Sequence, residues 1–364
     1  MELPPRSIAV VLGTRPEIIK LGHLIGLLGE AAAVVHTGQH YDWGLSAAFF
    51  EAFRLPEPVA VLGIGGETRG SQMGRVTAEL DALLRELHPR AVVVQGDTNS
   101  AAGGALAANA TETPLVHVES GLRSFDRRMP EEHNRVIADH LADMCLAPTE
   151  TNRANLLTEG IPDERIVVTG NTVVEALHSL VPAKTARAGI LAGYGVEPNR
   201  FVLTTFHRPE NVDDPETLRV VLEQLAGLGL PVILPLHPRT RARLDDGLLP
   251  VVERLTVVEP IGYTEFLGLA AESAMLISDS GGVQEEASVL KRPVLVVRRS
   301  TERPEVIGTF AERVEPGPAI GEKASSWLKD IEALHERLAV IPSPYGDGKA
   351  SERSLAAIQA LLDG

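Results

Sequence analysis

One cysteine stands in 364 residues, so no disulfide can close within the chain, and a reducing compartment is the expected setting. Cys145 lies in the apolar stretch ADMCLAP and reads as a buried small side chain rather than a nucleophile. Positive charge is scarce as well: 34 Lys and Arg against 49 Asp and Glu leave a formal charge of −15. That balance excludes nucleic acid as a partner, because binding a phosphate backbone requires a basic surface to displace counterions. An anionic ligand must then be met by cations gathered locally. No apolar run approaches the ~18–20 residues needed to span a bilayer. The N-terminus MELPPRSIAVVLGTRPEII lacks the basic leader, apolar run and cleavage site of a signal peptide. A cytoplasmic protein without a membrane partner is expected. No GxGxxG, P-loop, HExxH or paired-cysteine pattern accompanies these absences, so no metal site is expected.

What the chain has is alternation. Short β-branched runs at Ser7–Leu12, Ala32–Thr37, Ala91–Gln95 and Leu115–Glu119 each lead through a polar or glycine-bearing turn. Longer helical segments follow, a pattern that predicts βαβ units around a parallel sheet. The alternation pauses near 170–181 and resumes at Phe201–Thr205, Val232–Leu236, Leu255–Glu259, Met275–Ser278 and Val294–Val297. A single core rarely exceeds ~250–300 residues, so the expected architecture is α/β, with two Rossmann-like doubly wound domains facing across a cleft. The boundaries read as 1–175, 176–345 and a C-terminal helix within 346–364 that can pack back on the first domain.

In open α/β sheets ligands bind beyond the carboxyl ends of the strands, so the residues after each apolar run carry the functional reading. The first turn, GTRPE, sets Arg15 and Lys20 at a helix N-terminus and suits an anion. Asp97 follows the third run and Glu119 closes the fourth, while Glu131, Glu132 and Arg135 come from MPEEHNR. Carboxylates converging on one site can divide acid and base roles if their environments differ. Taken singly, each also has a plain explanation as helix cap, ion pair or first-turn dipole partner. His207 and His237 end two successive strands of the second half. The segment ISDSGGVQEE runs a strand into Ser280, Gly281 and Gly282 at the start of a helix, where bare N–H groups suit a diphosphate. Of Glu285 and Glu286, one is placed to hold a ribose. Arg298, Arg299 and Arg303 bring a compact positive patch.

The motifs GTRPEIIK, TGQH, QGDTNS, HVESGLRS, MPEEHNR, PTETNRANL, TGNTVVEAL, HRPEN, SDSGGVQEEA, RRSTERPE and PYGDG follow in that order along nearly the whole chain. Together they resemble the non-hydrolysing UDP-N-acetylglucosamine 2-epimerase family. The resemblance implies a glycosyltransferase-B-like fold and a homodimer. It also implies reversible conversion of a UDP-N-acetylglucosamine substrate to UDP-N-acetylmannosamine, through elimination of UDP to 2-acetamidoglucal and its re-addition. No hydride moves, so no cofactor is implied. Asp97, Glu119, Glu131 and His207 match the family's catalytic residues. Arg15, Lys20, Ser280, Gly281, Gly282, Glu286 and Arg303 match nucleotide-binding positions, Phe266 matches the residue near uracil, and His237 and Arg135 match further contributors.

Two departures stand out: YDWGLS after TGQH, where many members bind a second, activating substrate molecule, and Ile261 at a position often polar near uracil. They leave a related UDP-diacetamido uronic acid open as substrate. A hydrolysing epimerase releasing N-acetylmannosamine, a glycosyltransferase of the same architecture and a non-catalytic sugar-nucleotide sensor are the other readings. Binding alone would not require Asp97, Glu119, Glu131 and His207 in one chain.

Overall fold

The computed structural model describes residues 3–39, 43–244 and 247–363, without the side chains of 43–46. The YDWGLS segment therefore falls outside the described residues and side chains. The chain divides into two compact units, Met1–Ala176 with Tyr345–Gly364, and Leu177–Pro344.

The first unit is built on seven strands: β1 (Ile8–Leu12), β2 (Ala32–His36), β3 (Ala60–Val61), β4 (Ala91–Gln95), β5 (Leu115–Val118), β6 (Met144–Ala147) and β7 (Ile166–Val168). All pair in parallel, in the order β3-β2-β1-β4-β5-β6-β7. IAVVL of β1 and AVVVQ of β4 are buried along their whole length, as expected of central strands covered by helices on both faces. The order reverses between β1 and β4. Their carboxyl ends, which lead into Arg15 and Asp97, therefore flank the switch point where doubly wound sheets place ligands.

The second unit holds β8 (Val202–Thr205), β9 (Val232–Pro235), β10 (Thr256–Val258), β11 (Met275–Ser278), β12 (Val294–Val297) and β13 (Ala311–Val314). These are again all parallel, in the order β10-β9-β8-β11-β12-β13. The reversal falls between β8 and β11, which lead into His207 and Ser280. Each unit closes its own apolar core, one around Val11, Val92 and Leu115, the other around Val202, Ile277 and Leu295.

The helix Ala350–Asp363 belongs to the first unit. Glu175 accepts the Ser351 N–H at 2.9 Å, the Asn171 N–H donates to the Tyr345 carbonyl at 2.8 Å, and the Arg90 guanidinium donates to the Leu362 carbonyl at 2.7 Å. No described helix is long and apolar enough to cross a membrane.

Candidate active site

At the mouth of β1 the turn Gly13-Thr14 is held by its own helix. Glu17 Oε2 accepts the N–H groups of Gly13 and Thr14 at 2.9 and 2.8 Å. Its other oxygen accepts the Thr98 hydroxyl at 2.7 Å, which ties this turn to the one after β4. Burial pushes the Glu17 carboxyl up to about 7, against the lowering effect of those hydrogen bonds. Gly13 admits no side chain, since a Cβ there would lie 1.9 Å from Thr37 Oγ1. Arg15, the next turn's cation, is exposed and has no ion-pair partner among the described residues. Lys20 is buried and paired with Glu119.

The three candidate carboxylates sit in three different environments. Asp97 is partly exposed and takes two N–H groups of Arg135 on one oxygen, at 2.9 and 2.5 Å, while its carbonyl accepts from Asn134 at 2.9 Å. The helix cap at this turn is Thr98, whose hydroxyl accepts the Ala101 N–H at 3.0 Å, so the plain capping role does not fall to Asp97. Glu119 is buried beside Lys20 and accepts from Gln95 at 3.1 Å. Its backbone sits at φ 66°, a left-handed conformation that costs a residue bearing a Cβ and that clusters at functional sites. Glu131 is half-buried, with no hydrogen bond or ion pair among the described residues. Its neighbour Glu132 is buried and committed: it accepts from Ser124 N at 3.1 Å, Phe125 N at 2.8 Å and Arg135 at 2.5 Å. Glu131, which the resemblance assigns to the chemistry, is thus without a partner among the described residues, and Glu132 is a loop anchor.

In the second unit His207 follows β8 and is oriented by a residue the sequence did not single out. Asp279, fully buried after β11, accepts the N–H groups of His207 and Arg208 at 3.1 and 2.9 Å and the Asn211 amide at 3.0 Å. The Nδ1 atom of His207 lies 3.2 Å from its Oδ1. Burial opposes the charge on Asp279, yet the His207 ring and the other donors outweigh it and hold its pKa below the ordinary value. His237 packs beside His207, with ring centroids 5.4 Å apart, so the two histidines do meet.

The helix Gly281–Leu290 opens beside a charged cluster. Arg303 donates to Glu285 at 2.7 Å and pairs with Glu302, which also accepts from Arg298 at 2.8 Å. A Cβ on Gly281 would lie 2.6 Å from Glu302 and 2.8 Å from Arg303, whereas one on Gly282 would meet nothing closer than Glu286 at 3.7 Å. Ser280 is half-buried at the cap of this helix. Glu286 is buried and accepts the Tyr263 hydroxyl at 2.8 Å, and Phe266 lies half-buried on the helix that Tyr263 begins. Among the described residues no group of three or more His, Cys, Asp or Glu is disposed to hold a metal ion.

The two doubly wound parallel sheets, each with polar side chains gathered at its switch point, define a protein of the glycosyltransferase-B-like class. The family profile described as UDP-N-acetylglucosamine 2-epimerase matches residues 30–359. The chain is similar to UDP-N-acetylglucosamine 2-epimerase of Methanocaldococcus jannaschii, 38% identical over 95% of this chain and 97% of that protein. It is also similar to UDP-2,3-diacetamido-2,3-dideoxy-D-glucuronate 2-epimerase of Pseudomonas aeruginosa, at 36% over 95% and 98%. The crystal structure of the M. jannaschii enzyme in complex with UDP-GlcNAc and UDP superposes with a TM-score of 0.85 at 37% identity, covering 97% of this chain and 99% of that one. The chain belongs to the UDP-N-acetylglucosamine 2-epimerase family.

Proposed function

We propose that the chain inverts carbon 2 of UDP-N-acetylglucosamine, giving UDP-N-acetylmannosamine reversibly, by eliminating UDP to 2-acetamidoglucal and adding it back. The observation that carries this reading is the trio of carboxylates with unlike partners: Asp97 on Arg135, Glu119 on Lys20, Glu131 on none among the described residues. The C2 proton is not acidic, so cleavage of the C1–O bond leads and positive charge builds on the anomeric carbon and ring oxygen. Glu119, paired with Lys20, stabilises that charge. Asp97 and Glu131 take and return the proton at C2 from opposite faces, and their different environments suit different steps. His207, held through Nδ1 by Asp279, offers Nε2 to the departing phosphate.

The second unit binds UDP: Ser280, Gly281 and Gly282 present N–H groups to the diphosphate, Arg303 matches its charge, Glu286 holds the ribose and Phe266 packs by uracil. Arg15 and His237 assist at the phosphates, and Lys20 and Arg135 act through their carboxylates. A homodimer is what the family resemblance implies, and the lone cysteine suits a cytoplasmic setting.

Incubation with UDP-N-acetylglucosamine in deuterated water, followed by proton NMR, tests the reading. Deuterium at C2 of intact UDP-sugars is the expected result. Free N-acetylmannosamine would show a hydrolysing enzyme instead. An inert UDP-N-acetylglucosamine beside a reactive UDP-diacetamido uronic acid would move the substrate to that of the Pseudomonas relative.

A further inference from the structure

Behind the carboxylates of the first unit lies a fully buried charged group that the chemistry above does not use. His117, inside β5, and Asp139, inside the helix Pro130–Leu141, are both without solvent exposure. His117 Nδ1 lies 2.6 Å from Asp139 Oδ1, and Nε2 lies 2.8 Å from the carbonyl oxygen of Gly96. A carbonyl only accepts, so Nε2 carries a hydrogen. Asp139 also receives the Gly121 N–H, at 3.3 and 3.2 Å from its two oxygens, and the Arg123 guanidinium at 2.7 Å. That many donors call for an ionised carboxylate, so Nδ1 donates too and the ring is an imidazolium. Arg123 is in turn shared with Glu159 at 2.6 Å, and the cluster contains no other described ion pair apart from His140 to Glu159 at 3.5 Å.

We propose that the His117–Asp139 ion pair is a positioning device that sets the two turns from which Asp97 and Glu119 act. Its two ends reach the backbone on either side of the reaction. His117 grips the carbonyl of Gly96, the residue before Asp97, whose φ of 68° turns the chain out of β4. Asp139 grips the N–H of Gly121, two residues after Glu119, and so closes the turn in which Glu119 itself is left-handed at φ 66°. That turn has no slack, since a Cβ on Gly121 would lie 2.4 Å from the Asn152 carbonyl oxygen. A neutral histidine would leave one acceptor unmatched inside the core, where unpaired polar groups are costly. Burial opposes the charge of Asp139, but His117 and Arg123 hold its pKa below the ordinary carboxylate value.

The inference rests on the reading of Asp97 and Glu119 as reacting groups, and the test separates the two. Nitrogen-15 spectra of the histidine-labelled full chain are expected to show both ring nitrogens of His117 protonated, with ring protons that exchange slowly. Asp139→Asn keeps the shape and the acceptor for Gly121 but removes the charge, so Nδ1 should move to the unprotonated range. With it, kcat for deuterium exchange at C2 should fall by about 10²-fold, the scale of a small misplacement of reacting groups. KM and UDP affinity should stay within about threefold, since neither unit's nucleotide contacts are touched. His117→Phe, which removes the grip on Gly96, should show the same split. A wild-type ring with one proton overturns the ion pair. Normal kcat in folded variants, equal losses of kcat and UDP affinity, or variants recovered unfolded each overturn the positioning role. If the wild type fails to exchange C2 at all, the reading of the site falls while the spectrum still reads the pair.

Discussion

Asp97→Asn keeps an acceptor oxygen for Arg135 but cannot carry the negative charge or take a proton. Its turnover is expected to fall by about 10²–10⁴-fold, the usual weight of a general acid or base. UDP binding, followed by titration calorimetry, should hold within a few-fold. Near-normal turnover would remove Asp97 from the chemistry. The neighbouring pair separates two roles that sequence alone leaves joined. Glu131→Gln should abolish most turnover with an unchanged melting temperature, because no partner among the described residues is lost. Glu132→Gln should lower the melting temperature, because its carboxylate anchors Ser124, Phe125 and Arg135; differential scanning calorimetry beside the kinetic assay checks both. Several residues legible in the sequence, such as Asp97 and His207, follow strands, where position alone predicts access to ligand, whereas Phe266, inside a helix, came only through the family resemblance. His117 and Asp279 were not legible: one hides inside an apolar strand and the other ends one as an apparently ordinary turn residue. Their partners lie 22 and 72 positions away, and local patterning cannot express such pairings. A lone polar ring in a strand buried on both faces is the one available signal, since it must find partners.

At the scale of elements, the start of the helix Gly281–Leu290 gives a paired prediction. Gly281→Ala forces a Cβ into Glu302 and Arg303 and should weaken UDP binding by tenfold or more, on the order of 1.4 kcal/mol, with some loss of stability. Gly282→Ala meets only ordinary contact and should leave the melting temperature equal or higher, as alanine is the better helix former. Equal damage from both would mean that the cluster yields where it is drawn as rigid. Most of the strands that the sequence announces, such as Ala91–Gln95 and Val294–Val297, are buried along their whole length. Of the four it does not announce, β7 (Ile166–Val168) is β-branched throughout but only three residues long, and the other three have physical reasons. MCLA of β6 lacks β-branched residues, Ala60–Val61 is two residues long, and AERV of β13 is an edge strand with polar positions.

For the whole molecule, stability carries a mark of Glu17. Its carboxyl titrates near 7 when folded against 4.5 otherwise, so between those values the folded chain holds a proton that the unfolded chain has released. Stability from this group is therefore full below about pH 4.5 and is lost as pH rises to about 7, by roughly 3 kcal/mol. Glu17→Gln, whose amide oxygen can still accept from Gly13 and Thr14 while its NH2 donates to a reoriented Thr98 hydroxyl, should flatten that slope in urea unfolding measured from pH 5 to 8. An unchanged slope would assign it to other groups. Fold class was legible at this scale because strand–helix alternation repeats over the full length. The strand orders and their switch points were not, as they depend on which apolar runs become neighbours in space.

The helix Ala350–Asp363 has a consequence for how the protein comes into being. Because Ser351 bonds to Glu175 and the Leu362 carbonyl to Arg90, the first unit lacks a structural piece until the helix Ala350–Asp363 has been synthesised. The second unit, Leu177–Pro344, is synthesised in between. At ~5–20 residues per second, the amino-terminal unit waits ten seconds or more, on that order, for its final helix. The unit that begins first is completed after the second, and during that interval the surface of the helix Arg15–Leu28, on which Ala350–Asp363 packs, is what a chaperone would have to cover.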